Sequence, residues 1–488
     1  MPTPPAARLP FSADVPARRA DAGTRRGTAG AEVVLQIHDG DGRRLDWDAF
    51  RRRQANGHGE EGHNDVLLDP RDLTVIETGP LYSSSDCGGG DVALEWPDRP
   101  AALALAWPTS AGYSNLIVDL PGPGRHDLGL LAAAQARVRL ERLRATRPGY
   151  RPSGELERRH VRVAALLGEA ETASPSRRGA LGMQALDAAV DATLLMLIES
   201  GLRCARARRP GELQWGYTLD SIEDADQALM SVAELAPRDG WVRMVFDRAE
   251  PPETYRPAVG LAHSLGVRVI GQLLDSAQMG DVSPAAWRER VHRYVRALPN
   301  VDEWEVGNEV NGTWLGRDVV AKIAYAARYV REHTRARTLL TLHWQLGEDE
   351  SRSSMFEWAV RHLSPPLTRH IDDLGVSLYP EVHPMGLALD RVLETLHARF
   401  PAQRLLISEL GYWSPDLPHL WWWGSADRPK DRGRAAVARL YGSAILGYPY
   451  GGGGTYWWYY RQDALGPTAL RRELASLHAR AVGTRSGG

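Results

Sequence analysis

Two glutamates stand in contexts that suit chemistry better than packing. The stretch Trp304-Glu305-Val306-Gly307-Asn308-Glu309-Val310-Asn311-Gly312 reads as an apolar-rich strand that ends in Asn-Glu and then breaks at Asn-Gly. Further along, Leu405-Leu406-Ile407-Ser408-Glu409 is a second such strand, followed by Leu410-Gly411-Tyr412-Trp413. A carboxylate at a strand end is poorly placed to pack and well placed to meet a substrate. Two of them are the minimum equipment for cleaving a glycosidic bond. Each glutamate alone also fits a salt bridge or a helix N-terminus; their pairing carries the expectation.

The elements that must position them follow a strand–helix rhythm. Strands are expected at Leu213 to Tyr217, Trp241 to Phe246, Val267 to Leu274, Val301 to Asn308, Thr338 to His343, Leu374 to Tyr379, Arg404 to Ser408 and Thr455 to Tyr459. Helical patterns lie between them, as at Ala225 to Leu235, Pro284 to Ala297, Val319 to His333, Ala388 to Arg399 and Arg434 to Leu446. Eight alternations over about 270 residues are the count and length of a (β/α)₈ TIM barrel, an α/β fold, here assigned to residues 209–488. An open doubly wound sheet is the alternative, and it lacks a Gly-rich phosphate fingerprint after the first strand. In a barrel, Glu309 ends the fourth strand and Glu409 the seventh, at the face where such folds keep functional groups. Glu303 and Glu305 share a two-residue register with Glu309; one is expected in a salt-bridged barrel layer and the other in solvent.

The motifs resemble a known group. Trp304 to Gly312 looks like the fourth-strand signature of retaining glycoside hydrolases of clan A, and Leu405 to Trp413 resembles their seventh-strand nucleophile motif. Leu374-Gly375-Val376-Ser377-Leu378-Tyr379-Pro380 resembles the sixth strand, nearest the endo-galactanase branch. The likeness covers the barrel and not the N-terminal half, and Thr341-Leu342-His343-Trp344-Gln345 matches no family of the clan closely. The resemblance implies that Glu309 is the general acid/base and Glu409 the nucleophile. Asn308 would bind the sugar 2-hydroxyl, Tyr379 would hold the nucleophile, and Arg243 in the second strand would keep it charged, although a structural ion pair fits Arg243 equally. No metal or organic cofactor is implied. Transglycosylation and a non-catalytic carbohydrate-binding barrel are the alternative readings. An aldolase- or isomerase-like barrel ranks last, because Lys322 falls in a helix and Lys430 in a loop.

Aromatic residues around these strands support a carbohydrate partner, since flat rings offer apolar area to the C–H faces of sugars. Trp413 and Trp421-Trp422-Trp423 follow the seventh strand, with Trp422 taken as a wall residue, and Tyr456-Trp457-Trp458-Tyr459-Tyr460 forms the eighth. By the resemblance Trp458 floors the subsite at the cleaved bond, with Trp457 as the alternative. His343, at the end of the fifth strand, is a candidate substrate contact, and a structural histidine is the equal alternative; His383 stands likewise.

The rest of the chain bounds the reading. The N-terminal 1–30, rich in Pro, Ala and Arg, are expected to be disordered. Residues 31–150 show short strand-like runs, the last at Ala136 to Leu140, separated by Asp-Gly and Gly-rich turns, which suggests an antiparallel β-sandwich. Helices over Gly154 to Glu171 and Ala180 to Arg206 would form a bridge across 151–208. The sandwich would bind carbohydrate or shield the barrel, and the bridge favours a fixed, structural role. A net charge of -2 offers no basic field for nucleic acid. Cys87 and Cys204 have no metal-site spacing and read as free thiols, with a single disulfide as the alternative. No apolar run approaches the ~20 residues that span a bilayer, so no membrane partner is expected. Without a secretory h-region the chain reads as cytoplasmic, or as extracellular if it is a mature form. The oligomeric state is not legible.

Overall fold

The computed structural model describes residues 31–482, apart from 55–64, 80, 85–90, 110–111, 148, 210, 238–239, 348–350, 382 and 413–429. Trp413, Trp421 to Trp423, Cys87 and the segment expected to be disordered lie outside the described residues.

Eight parallel strands run in sequence order: Trp215–Leu219, Gly240–Val245, Arg268–Gln272, Glu303–Gly307, Arg337–His343, Asp373–Leu378, Arg404–Leu410 and Gly451–Gly453. Bridges from Gln214 to Gly453 and from Tyr217 to Trp457 join the last strand to the first, so the sheet closes into a (β/α)₈ barrel. The closure is made by backbone bonds from Gln214 N–H to the Gly452 carbonyl at 2.8 Å and from Gly454 N–H to the Gln214 carbonyl at 2.9 Å.

The eighth strand lies a few residues earlier than the aromatic run suggested, in the glycines rather than in Thr455 to Tyr459. Close approach demands glycine there. A Cβ on Gly451 would stand 1.9 Å from the Ile445 carbonyl oxygen. Gly454, at φ +121°, would place a Cβ 2.3 Å from the Ile407 carbonyl oxygen. The aromatic residues that follow complete the seam, and only Trp457 of them makes a bridge.

Inside the barrel, side chains two apart on each strand stack in layers. Trp241, Ile270, Leu339, Leu406 and Tyr456 form an apolar layer of their own. The Tyr456 ring occupies the space over Gly216, where a Cβ would meet its Cε1 at 1.8 Å. Below this layer Gln214 donates to Glu303 at 2.8 Å, and Arg337 and Arg404 clasp the buried Asp373. Glu303 and Glu305 are both buried, so neither is the solvated member that was expected of the pair. The even two-residue register keeps both inside the barrel. Burial and the neighbouring Asp373 push the Glu303 carboxyl well above the usual carboxylate range. Above the apolar layer lie Arg243, Glu305, Thr341 and Ser408, which belong to the site.

The N-terminal part forms two four-stranded sheets. In one, Glu32–Gln36 pairs antiparallel with Asp91–Glu95, which pairs with Tyr82–Ser84; its other neighbour, Gly124–Asp127, is parallel, so this sheet is mixed rather than purely antiparallel. The other is antiparallel throughout, in the order Val75–Thr78, Asp65–Leu68, Ala102–Thr109, Gly112–Asp119.

The run Ala136 to Leu140, expected as a strand, lies in the helix Leu128–Thr146. Asp127 caps that helix by accepting from Leu130 N–H at 2.9 Å, and buried Leu128, Ala132, Ala136, Leu140 and Leu143 recur at helical intervals. Helices Gly154–Thr172 and Pro175–Arg206 follow. The second begins at Pro175, a residue suited to a first helical turn. It is long and apolar enough to cross a membrane by length and composition, which the shorter sequence estimate missed, yet 72% of that stretch is buried inside the protein. It serves as a central core helix.

Candidate active site

The upper barrel layer is built around one guanidinium. Arg243 is fully buried and donates from Nε to Glu305 at 2.7 Å and from Nη2 to the other Glu305 oxygen at 3.1 Å. The same Nη2 makes an ion pair with Glu409 at 2.9 Å. Burial works against the charge of Arg243, but Glu305 and Glu409 more than offset it, so its pKa is raised and it stays cationic. Thr341 donates to Glu305 at 2.5 Å and shares a 2.9 Å hydrogen bond with Ser408. Gly375 makes room for this link, because a Cβ there would lie 2.0 Å from the Ser408 Oγ. Glu305 is thus the salt-bridged member of the Glu303–Glu305 pair, as expected.

Both candidate catalytic glutamates follow an irregularity in their strands. Pairing between the fourth and fifth strands shifts between Glu305 and Gly307, and pairing between the sixth and seventh shifts between Gly375 and Ser377. A one-residue bulge swaps the faces of everything beyond it. Glu309 is also held at φ +48°, in the left-handed region that non-glycine residues seldom occupy. Such a conformation costs on the order of 1–3 kcal/mol and persists where the surroundings impose it, typically at functional sites.

The surroundings of Glu309 are specific. Ser276, just past the third strand, donates to its Oε2 at 2.9 Å, and Ser377 of the sixth strand donates to its Oε1 at 2.7 Å. Neither serine was singled out from sequence. Ser377 is also the register partner of both His343 and Glu409, so it stands between the two glutamates.

Glu409 is buried, with 3% exposure. Tyr379 donates to its Oε1 at 2.5 Å. Burial pushes the Glu409 carboxyl up to about 8; Arg243 and Tyr379 pull it down, while Glu309 and Asp275 add to the rise. The Tyr379 hydroxyl is driven well above its ordinary value by burial and by Glu409, so it stays a donor. Gly411 gives its ring room, since a Cβ there would lie 2.4 Å from Cε1. Asp275 is a third carboxyl that sequence reading missed. It caps the short helix Ser276–Met279 by accepting from Ala277 N–H at 2.8 Å, and burial raises its pKa, with a further push from Glu309.

The remaining expected residues divide. Asn308 is buried beside Glu309, and its Oδ1 has no hydrogen-bond partner in the protein. His343 has its backbone clamped by Asn311, which accepts from its N–H at 2.7 Å and donates to its carbonyl at 3.0 Å. Its ring packs edge-on to His383 at 5.2 Å, its Nδ1 has no hydrogen-bond partner among the described residues, and burial lowers its pKa against a smaller opposing pull from Glu309. Trp458 lies over the Arg243 guanidinium at 5.4 Å and is partly exposed. Trp457 is fully buried, with its indole N–H on Asp463 at 2.9 Å. Trp458, not Trp457, is therefore the ring beside Arg243. Trp413 and Trp422 lie outside the described residues. Among the described residues no group of three or more His, Cys, Asp or Glu side chains is arranged to hold a metal ion.

The fold and the site together define a closed (β/α)₈ barrel with a half-buried glutamate, Glu309, just past its fourth strand and a buried one, Glu409, at the end of its seventh. No family model and no curated protein matches the chain. Solved structures resemble it distantly. A GH113 β-mannanase from Alicyclobacillus acidocaldarius is 13% identical, with 57% of this chain and 99% of that chain covered and a TM-score of 0.38. An endo-1,4-β-xylanase from Penicillium canescens is 14% identical, over 58% and 97%, with a TM-score of 0.40. A GH5-4 broad-specificity endoglucanase is 12% identical, over 56% and 99%, with a TM-score of 0.37. At such identities and scores, substrate and reaction must be argued from the residues of this chain.

Proposed function

We propose that this protein is a retaining glycoside hydrolase acting on the O-glycosidic bonds of a poly- or oligosaccharide. The observation that carries the reading is the placement of Glu309 and Glu409. They end the fourth and seventh barrel strands, lie within electrostatic reach of one another, and have different partners. Glu409 has a guanidinium and a phenol, the donors a carboxylate needs if it is to attack as an anion. Among the described residues Glu309 accepts from neutral hydroxyls, which tolerate either of its protonation states.

In the first step Glu309 gives its proton to the glycosidic oxygen as the C–O bond breaks, and Glu409 forms a new bond to the anomeric carbon. In the second, water attacks that carbon, its proton passes to Glu309, and Glu409 leaves as a carboxylate. Asn308 presents an unpaired buried acceptor beside the acid, suited to a sugar hydroxyl. Trp458 offers a ring face over Arg243. Four carboxyl groups surround one already paired cation, so the reading favours a neutral sugar over an anionic one at the cleaved bond.

Hydrolysis of a panel of neutral aryl glycosides and oligosaccharides tests the reading. Glu309→Gln and Glu409→Gln should each reduce turnover by at least about 10²-fold. Undiminished turnover in either variant, with an active wild type, would sink it. Sugar transfer to an added acceptor, in place of release to water, would favour the transglycosylase alternative on the same residues.

A further inference from the structure

We infer that Ser276 and Ser377 are positioning residues that let Glu309 serve as acid and then as base without moving, an inference that rests on the glycosidase reading above. The two serines come from different elements, one at the start of the helix Ser276–Met279 and one in the sixth strand. They engage different oxygens of one carboxylate, Oε2 at 2.9 Å and Oε1 at 2.7 Å. With both hydroxyls donating, each oxygen of a Glu309 carboxylate has a partner. An acid must carry a proton, and a lysine or arginine in either place would oppose that state. A hydroxyl does not, because it holds one hydrogen and two lone pairs and can turn to accept.

The proton balance then closes through a rotation. Before bond cleavage Glu309 bears its proton, which points to the glycosidic oxygen, while one serine donates to the second carboxyl oxygen. As the C–O bond to the leaving group breaks, the proton moves to the departing oxygen, and both serines donate to the new carboxylate. When water adds to the anomeric carbon and the bond to Glu409 breaks, the water's proton returns to Glu309, Glu409 leaves as a carboxylate, and the serine facing the protonated oxygen turns away or accepts. No side chain has to travel. Ser377 adds a constraint. Its backbone is in register with Glu409, so the hydroxyl that orients the acid is carried on the residue paired with the nucleophile.

The test compares two leaving groups. A phenyl glycoside needs protonation to depart, and a 2,4-dinitrophenyl glycoside does not. In Ser377→Ala, and separately in Ser276→Ala, kcat/KM on the phenyl glycoside should fall about tenfold or more, the scale of a lost hydrogen bond to a charged group. In the same variants glycosyl-enzyme formation from the dinitrophenyl glycoside should stay close to wild type. The basic limb of the pH profile should shift. Ser377→Thr keeps the hydroxyl and should recover most of the phenyl rate, with circular dichroism confirming the fold of each variant. Equal losses on both glycosides with an unmoved pH profile would overturn the proposal, as would a folded Ser377→Thr that recovers nothing. If those results came with an active wild type and an inactive Glu309→Gln, only the serine role would fall. A wild type inert on every aryl glycoside would remove the parent reading and this one with it.

Discussion

Glu409 has to be charged in a place that resists charge. Its carboxyl is raised from the usual 4.5 to about 8, first by burial, and Arg243 and Tyr379 are the groups that oppose the rise. Attack requires the anion, so the rate should climb as pH rises through this group's pKa. Arg243→Met should push the acidic limb of kcat/KM upward by about 1–3 pH units, and Arg243→Lys should restore much of it. A limb that stays in place in Arg243→Met would show that the guanidinium does not set the charge. The same shift bears on stability. The folded state holds this proton more tightly than the unfolded chain, so the stabilising effect is complete below pH 4.5 and is lost as pH rises towards 8. Glu409→Gln removes that loss. Its unfolding free energy should therefore gain on wild type across this window, by an amount on the order of a few kcal/mol at about 1.4 kcal/mol per tenfold change in proton affinity, read as a growing difference in melting temperature. Thermal unfolding of both proteins at the two ends of the window measures it. Glu309 and Glu409 could be singled out in sequence by their pairing at two strand ends, whereas Tyr379 and Arg243 entered only through the resemblance. Ser276, Ser377 and Asp275 were not legible, because a small polar residue in or after a strand has many plain explanations.

At the scale of elements, the barrel was legible because its strands are apolar runs separated by amphipathic helices. The failures have physical causes. The last strand is glycine, and no hydrophobic pattern can announce a segment whose merit is the absence of side chains. The run Ala136 to Leu140 resembles a strand only until Asp127 is recognised as a helix cap. One of Glu303 and Glu305 was expected in solvent because the alternation rule does not say how far down a closed barrel stays dry; both are buried. The bulges before Glu309 and Glu409 were invisible, since they arise from how neighbouring strands pair. Gly375 offers a test at this scale. Gly375→Ala would force a methyl against the Ser408 Oγ and the Thr341 Oγ1, which holds Glu305. The variant should lose about 1–3 kcal/mol in denaturant unfolding, and activity should fall further than stability alone explains. Wild-type activity in a folded Gly375→Ala would show that the Thr341–Ser408 link does not position the site.

Across the whole molecule, the N-terminal part is bound to the barrel where the site is built. Asn115 N–H donates to the Met385 carbonyl at 3.2 Å, Leu387 N–H to the Ser114 Oγ at 2.9 Å, and Arg391 to the Pro70 carbonyl at 3.0 Å. These bonds hold the segment that follows Tyr379. The helix Pro175–Arg206 meets the helix Lys430–Ala444 backbone to backbone, because a Cβ on Gly201 would stand 1.9 Å from the Ser443 carbonyl oxygen. Gly201→Leu should therefore cost at least about 1–3 kcal/mol, read as a lowered melting temperature. An unchanged melting temperature would mean that the two parts are not stabilised by this contact. The glycine seam that closes the barrel has a consequence for biosynthesis. Residues 214–219 leave the ribosome long before 451–457, a delay on the order of ten to fifty seconds at about 5–20 residues per second. During that interval the nascent sheet has two open edges, each able to pair with another chain. Arg243 also waits without Trp458 over it. Aggregation during synthesis should thus depend on how quickly the last glycines arrive, and slow codons between the seventh and eighth strands would lower the soluble yield of a chain whose folded stability is unchanged.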